Sequence, residues 1–134
     1  MEKRVVITGL GAISPIGNNV CELWNGIKEK KCGIDEITSF DTQNMKTKLA
    51  AEVKNYDPLN YFDLKQTKRL DRVTQFALIA AREAFKDSDI NIESVNPENI
   101  GIFVGSGIGG LITLQNQCEV RMEKGNNRVS PMFI

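Results

Sequence analysis

The chain has 134 residues, enough for one domain to bury a core and too few for two. Its composition, 41% hydrophobic and 25% charged with a formal net charge of zero, is that of an ordinary soluble globular protein, and the balanced charge argues against nucleic acid or a membrane as partner. The chain has three cysteines, Cys21, Cys32 and Cys118, and no histidine; the odd cysteine count without CxxC spacing points to reduced thiols, and the commonest general base and metal ligand is missing.

The opening MEKRVVITGLG is charged at its start, but its apolar stretch is too short and too soon broken by glycine for a signal peptide. No run approaches a membrane span, so a cytoplasmic location is expected. Within that opening, residues 3–8 (KRVVIT) read as a buried strand ending in the tight turn Gly9-Leu10-Gly11. A helix follows. Asn18 or Asn19 can cap it, Glu22 is placed to answer Asn19, and Leu23, Trp24 and Ile27 supply its apolar face. It is expected to stop near Lys31, with Gly33 beyond.

From Gly33 to Pro58 the signals are mixed, and loops with one short edge strand near Leu49 to Val53 are expected. From about Thr67 to Lys86 the helical period is strongest, carried by Val73, Phe76, Ala77, Ala80, Ala84 and Phe85. Its centre, FALIAA, is apolar on nearly every side, which suits a helix enclosed by other elements. Residues 99–104 read as a second strand, and Leu111 to about Lys124 as a helix ended by Gly125. The order defines an α/β chain. After Gly125-Asn126-Asn127-Arg128 the sequence turns apolar again in Val129-Ser130-Pro131-Met132-Phe133-Ile134, where natural termini are usually polar, so a continuation of the polypeptide is expected.

Two glycine-rich turns follow strand-like runs. The first, Thr8 to Gly17, has Ser14 where a dinucleotide fingerprint needs glycine, and Pro15 stiffens the loop. The second, Gly105-Ser106-Gly107-Ile108-Gly109-Gly110, matches G-x-G-x-x-G, but the acidic residues that follow, Glu119 and Glu123, lie inside the expected helix and not after a second strand. Three readings remain open from the residues: a nucleotide, close packing of strand on helix, or bare backbone passing close to another ligand.

Taken together, VVITGLGAISPIGN, KQTKRLDRVTQFALIAAREA, IGIFVGSGIGGL and RVSPMFI resemble, in order, the amino-terminal part of the β-ketoacyl-acyl-carrier-protein synthase II family of condensing enzymes. The resemblance implies the N-terminal part of a thiolase-like layered αβαβα fold, truncated before the nucleophile and normally found as a homodimer. It implies a decarboxylative Claisen condensation of an acyl thioester with malonyl-acyl-carrier protein. The cysteine nucleophile and two histidines of that family lie beyond residue 134, so no catalytic residue, metal or cofactor is expected in this chain, which alone should be inactive. Cys21, near a helix start, has no evident base or oxyanion partner.

The resemblance also implies two non-catalytic roles. Gly107 and Ile108 border the acyl pocket, with Ile108 as a gate on chain length, and Phe133 reaches the partner subunit's pocket. Lys65, Lys68, Arg69 and Arg128 form a docking patch for the acidic acyl carrier protein, with Asn127 standing where a second basic residue is common. Read without the resemblance, those cations are solvated charge and the apolar residues ordinary packing. The rival functions are a nucleotide-binding reductase domain and a non-catalytic condensing-enzyme-like partner subunit.

Overall fold

A computed structural model describes residues 3–131 and 133. The chain divides into two compact units, Met1–Asp57 with Leu78–Ile100, and Pro58–Ala77 with Gly101–Ile134.

In the first unit, helix α1 spans Val20–Lys28. Its start uses the expected residues: the Asn19 side chain accepts from the Glu22 N–H at 2.8 Å, and the Glu22 carboxylate answers by accepting from the Asn18 N–H at 2.8 Å and the Asn19 amide at 2.9 Å. Its end differs from expectation. Lys30 takes the left-handed position at φ 55°, the Lys30 N–H bonds to the Ile27 carbonyl, and the Lys31 N–H reaches back to Gly26 at 2.8 Å. This is a Schellman closure with lysine in the place glycine usually fills. Gly33 serves another purpose: a Cβ there would stand 2.9 Å from that of Pro15.

Strands β1 (Ile34–Glu36) and β2 (Leu49–Ala51) pair antiparallel, Asp35 opposite Ala50, so the region expected to hold one short strand holds a pair. Lys54 reaches the Asp35 carboxylate at 2.6 Å. The Glu52 carboxylate collects the backbone N–H and hydroxyl groups of Thr38 and Ser39.

The long helix expected from about Thr67 is two helices, α2 (Leu64–Arg69) and α3 (Arg72–Asp87). The apolar period runs through the join, but the backbone does not. Leu70 is extended at ψ 122°, its carbonyl accepts from the Gln75 side chain at 2.8 Å, and Gln75 is buried at 7% exposure. A satisfied buried amide holds the break open. The first six residues of α3 belong to the second unit and the rest to the first. Ile79 is buried at the centre of FALIAA, its neighbours are half-buried, and Ala81 is exposed. Enclosure on every side is not observed.

Against the later turns of α3, in the first unit, lies the loop that begins at Gly9. Cβ atoms built on Gly9 and Gly11 would fall 2.1 Å from the Ala84 carbonyl oxygen and 1.8 Å from that of Ala80. Glycine is required there for close approach. Two acids of α3 secure the same loop: Asp87 accepts from the Leu10 N–H at 2.9 Å, and Glu83 accepts from the N–H groups of Ala12 at 2.9 Å and Val20 at 2.8 Å.

In the second unit, α4 spans Leu111–Lys124 and ends as expected at Gly125, with φ 82°. Ser130 donates its N–H to Gln117 of α4 at 2.7 Å, and the Phe133 N–H bonds to Ser130. Of the apolar run at 129–134, Met132 and Ile134 lie outside the described residues.

The two strands expected at 3–8 and 99–104 do not form. Neither run has a ladder partner among the described residues, and Val5, Ile7, Ile102 and Phe103 are 82–96% exposed. β-Branched alternation gives a run its extended preference, but a strand exists only through hydrogen bonds to a neighbour. Among the described residues, large buried apolar side chains are correspondingly few, Phe62 in the second unit and Ile79 in the first.

Candidate functional site: the glycine loop and the cationic helix

Every residue to which the resemblance gives a pocket or docking role, Lys65, Lys68, Arg69, Gly107, Ile108, Arg128 and Phe133, falls in the second unit. Helix α2 is only six residues long and depends on its cap. Asp63 accepts from the N–H groups of Lys65 at 2.8 Å and Gln66 at 2.7 Å, and the Gln66 side chain returns a bond to the Asp63 N–H, the reciprocal capping box. Lys65, Lys68 and Arg69 stand three and four positions apart, so they share one face of α2, and all three are exposed. Lys68 and Arg69 lie in the last turn, where cations also suit the helix dipole. Arg128 is exposed on a separate element, the turn Asn126–Arg128 after α4. Phe133 is half-buried, behind the bond that ties Ser130 to α4.

The glycines of the second motif sit in three different surroundings. Gly109 has φ 74°, and its N–H bonds to the Ser106 hydroxyl at 2.9 Å, a turn that disfavours a side chain. At Gly110 a Cβ would stand 3.0 Å from an Asp71 oxygen. Around Gly105 and Gly107 a Cβ meets nothing within 4 Å, and Ile108 between them and Gly109 is 76% exposed.

Asp71 organises this loop and was not singled out in the sequence. One carboxylate oxygen accepts from the Val73 N–H at 3.2 Å and caps α3; the other accepts the N–H of Thr113, also at 3.2 Å, and its hydroxyl. Since Gly110 gives α4 no side-chain cap, Asp71 caps both helices. Burial pushes its proton affinity up, but the Thr113 hydroxyl and the surrounding backbone N–H groups outweigh that and hold its carboxyl below the usual value. The signal available in the sequence was the acid inside KRLDR, immediately before a helix start. A carboxylate set at the first turn of α4 also opposes the nucleotide reading, because a pyrophosphate would need those N–H groups and would meet a like charge.

Outside this region, a shallow cleft of about 260 Å³ lies in the first unit between α1 and the segment after β2, lined by Ile16, Glu22, Asn25, Lys31, Lys54 and others. None of the expected pocket or docking residues lines it. Cys21, Cys32 and Cys118 are free and exposed.

The sequence matches the profile of the family "Beta-ketoacyl synthase, N-terminal domain" over residues 2–134. The chain belongs to the β-ketoacyl synthase family. It is 46% identical over 132 residues to 3-oxoacyl-[acyl-carrier-protein] synthase 2 of Staphylococcus aureus (strain COL), and 42% identical over 133 residues to the protein of that name from Synechocystis sp. (strain ATCC 27184 / PCC 6803 / Kazusa). These alignments cover 98% and 99% of this chain but 32% of each relative, so the chain spans about a third of their length. Among solved structures it is similar to the ishigamide ketosynthase/chain length factor, with TM-score 0.73, 27% identity, and 96% of this chain and 32% of that one covered. It is also similar to a chain of a type II PKS acyl-carrier protein in complex with its ketosynthase bound to the hexaketide, with TM-score 0.77, 26% identity, and 98% and 35% covered. The α/β fold is the thiolase-like fold of these ketosynthases over the portion that this chain covers.

Proposed function

We propose that these 134 residues are the N-terminal portion of a 3-oxoacyl-acyl-carrier-protein synthase, contributing the wall of the acyl pocket and part of the carrier-docking surface. In the reaction of the complete enzyme, malonyl-acyl-carrier protein loses carbon dioxide, and the resulting carbon nucleophile attacks the thioester carbonyl of an enzyme-bound acyl chain and displaces the thiolate. By the family resemblance a cysteine and two histidines outside this stretch supply that chemistry, and the chain itself contains no histidine. The 134-residue polypeptide alone is therefore inactive.

The observation that carries the reading is the glycine loop: backbone left bare at Gly105 and Gly107 without steric need inside the chain, beside an exposed Ile108. Such a surface suits an acyl chain sliding past, with one large apolar side chain to block or admit it. Phe133 is assigned to the same pocket across a homodimer. The cations of α2, with Arg128, face an acidic carrier. Exposed pairs contribute only about 0 to 1 kcal/mol each, so the patch acts mainly on encounter rate and partner choice. A solved relative bound to its acyl-carrier protein supports that partner. The family's carbon chemistry needs soluble thioesters, which suits the cytoplasm.

The test is Ile108→Phe in the complete enzyme. The accepted acyl chain should shorten, read from kcat/KM across a series of acyl-carrier-protein substrates; an unchanged series overturns the gate. Reversing Lys65, Lys68 and Arg69 to Glu should raise KM for carrier-bound substrate, while KM for a carrier-free acyl thioester stays as it was.

A further inference from the structure

Arg69, at the end of α2, and Ile108, on the glycine loop, are far apart in sequence, yet a short series of hydrogen bonds connects their neighbourhoods. Leu70, directly after Arg69, gives its carbonyl to the buried Gln75 side chain. Asp71 follows and accepts from Val73 on its own side and from the N–H and hydroxyl of Thr113 on the other. Thr113 stands in the first turn of α4, directly after the loop that carries Ile108. Gly110 passes close to the Asp71 carboxylate: a Cβ there would lie 3.0 Å from its oxygen, so a side chain at this position would press on Asp71. The last glycine of G-x-G-x-x-G thus packs against a carboxylate of the same chain.

We propose that Asp71 is a positioning residue for acyl-chain selection: through Thr113 it holds the loop bearing Ile108 in register with the cationic face of α2, so that a carrier docked on α2 presents its acyl chain to a gate fixed in place. The inference rests on the reading of Ile108 as the gate. Asp71 touches no substrate. Its action is geometric, setting where Ile108 stands relative to the incoming chain, and displacements of about an ångström in such positioning change rates by up to about 100-fold.

The experiment uses the complete synthase and compares kcat/KM for a long and a short acyl chain on the carrier. Thr113→Val removes the hydroxyl bond to Asp71 and keeps both the backbone bond and the side-chain shape. It should reduce discrimination between the two chain lengths by about tenfold, within the range that misplacement produces, and Asp71→Ala should reduce it at least as far. In the double variant the effect should not exceed that of Asp71→Ala, because both changes break one link. A role confined to stability would lower the melting temperature and scale both substrates alike. Unchanged discrimination in Thr113→Val, or equal loss for both chains, overturns the proposal, and this holds even if Asp71→Ala fails to fold. Ile108→Phe separates the two ideas: if it shifts chain length and Thr113→Val does not, the gate stands and the Asp71 link falls, whereas no shift in Ile108→Phe removes the gate itself.

Discussion

Glycine at position 11 and glycine at position 107 look alike in the sequence and differ entirely in the structure. A methyl at Gly11 would collide with the Ala80 carbonyl at 1.8 Å, and one at Gly107 meets open space. Gly11→Ala should accordingly destabilise by about 1 to 3 kcal/mol, the cost of overpacking a tight contact, and Gly107→Ala should stay within about 0.5 kcal/mol; urea unfolding of the complete protein measures both. Acids show a similar divergence. Glu83 and Asp87 belong to a helix where acids read as solvated charge, yet they bind the N–H groups of the Gly9–Ala12 loop. The donors were visible in the sequence as a glycine-rich loop, but their acceptors lie more than seventy residues away. At Glu52 the Ser39 hydroxyl is the main cause, with the Thr38 N–H and hydroxyl, that lowers the carboxyl to about 2 from an ordinary 4.5. Because the folded value is depressed, this clamp is fully present above pH 4.5 and lost as pH falls toward about 2. An NMR titration of the Glu52 carboxyl should show its midpoint near the lower value.

At the scale of elements, the caps were legible and the break was not. Asn19 and Glu22 could be recognised because an N-cap is a local pattern, its donor and acceptor only a few residues apart. Asn19→Ala should cost about 0.5 to 2 kcal/mol, read as a lower melting temperature. The join at Leu70 and Asp71 could not be seen, since the residues from Thr67 to Lys86 keep one helical period and contain no proline or glycine to interrupt it. What separates α2 from α3 is a buried glutamine on the Leu70 carbonyl and a carboxylate that a distant threonine also binds. Helix α2, at six residues, is too short to persist on propensity. Removing its cap with Asp63→Ala should therefore speed amide exchange at Thr67 and Leu70, whose N–H groups bond within it, while α3 is spared. Asp71 adds a pH dependence of the same sign as Glu52: its carboxyl lies below 3.8, so the double cap is intact above that value and weakens as pH falls through the folded one.

At the scale of the whole molecule, large apolar side chains stand exposed in each unit, Val5 and Ile7 in the first and Ile102 and Phe103 in the second. Large exposed apolar side chains of this kind are what a neighbour normally covers. The 134-residue polypeptide should bind a hydrophobic dye such as anilinonaphthalene sulfonate strongly, whereas substituting Ile7 and Phe103 by Asp should weaken the signal. From the linear chain one could already read the family, the helix caps and the Gly125 stop, because each depends on residue types at short, fixed separations. Folding in space settled the rest: that residues 3–8 and 99–104 carry a strand's pattern without a strand's partner, that Gly9 and Gly11 serve contact with α3, and that one carboxylate caps two helices beside Ile108. Those outcomes depend on which backbone groups meet across long separations, and a periodic pattern specifies the face a segment offers without specifying what meets it.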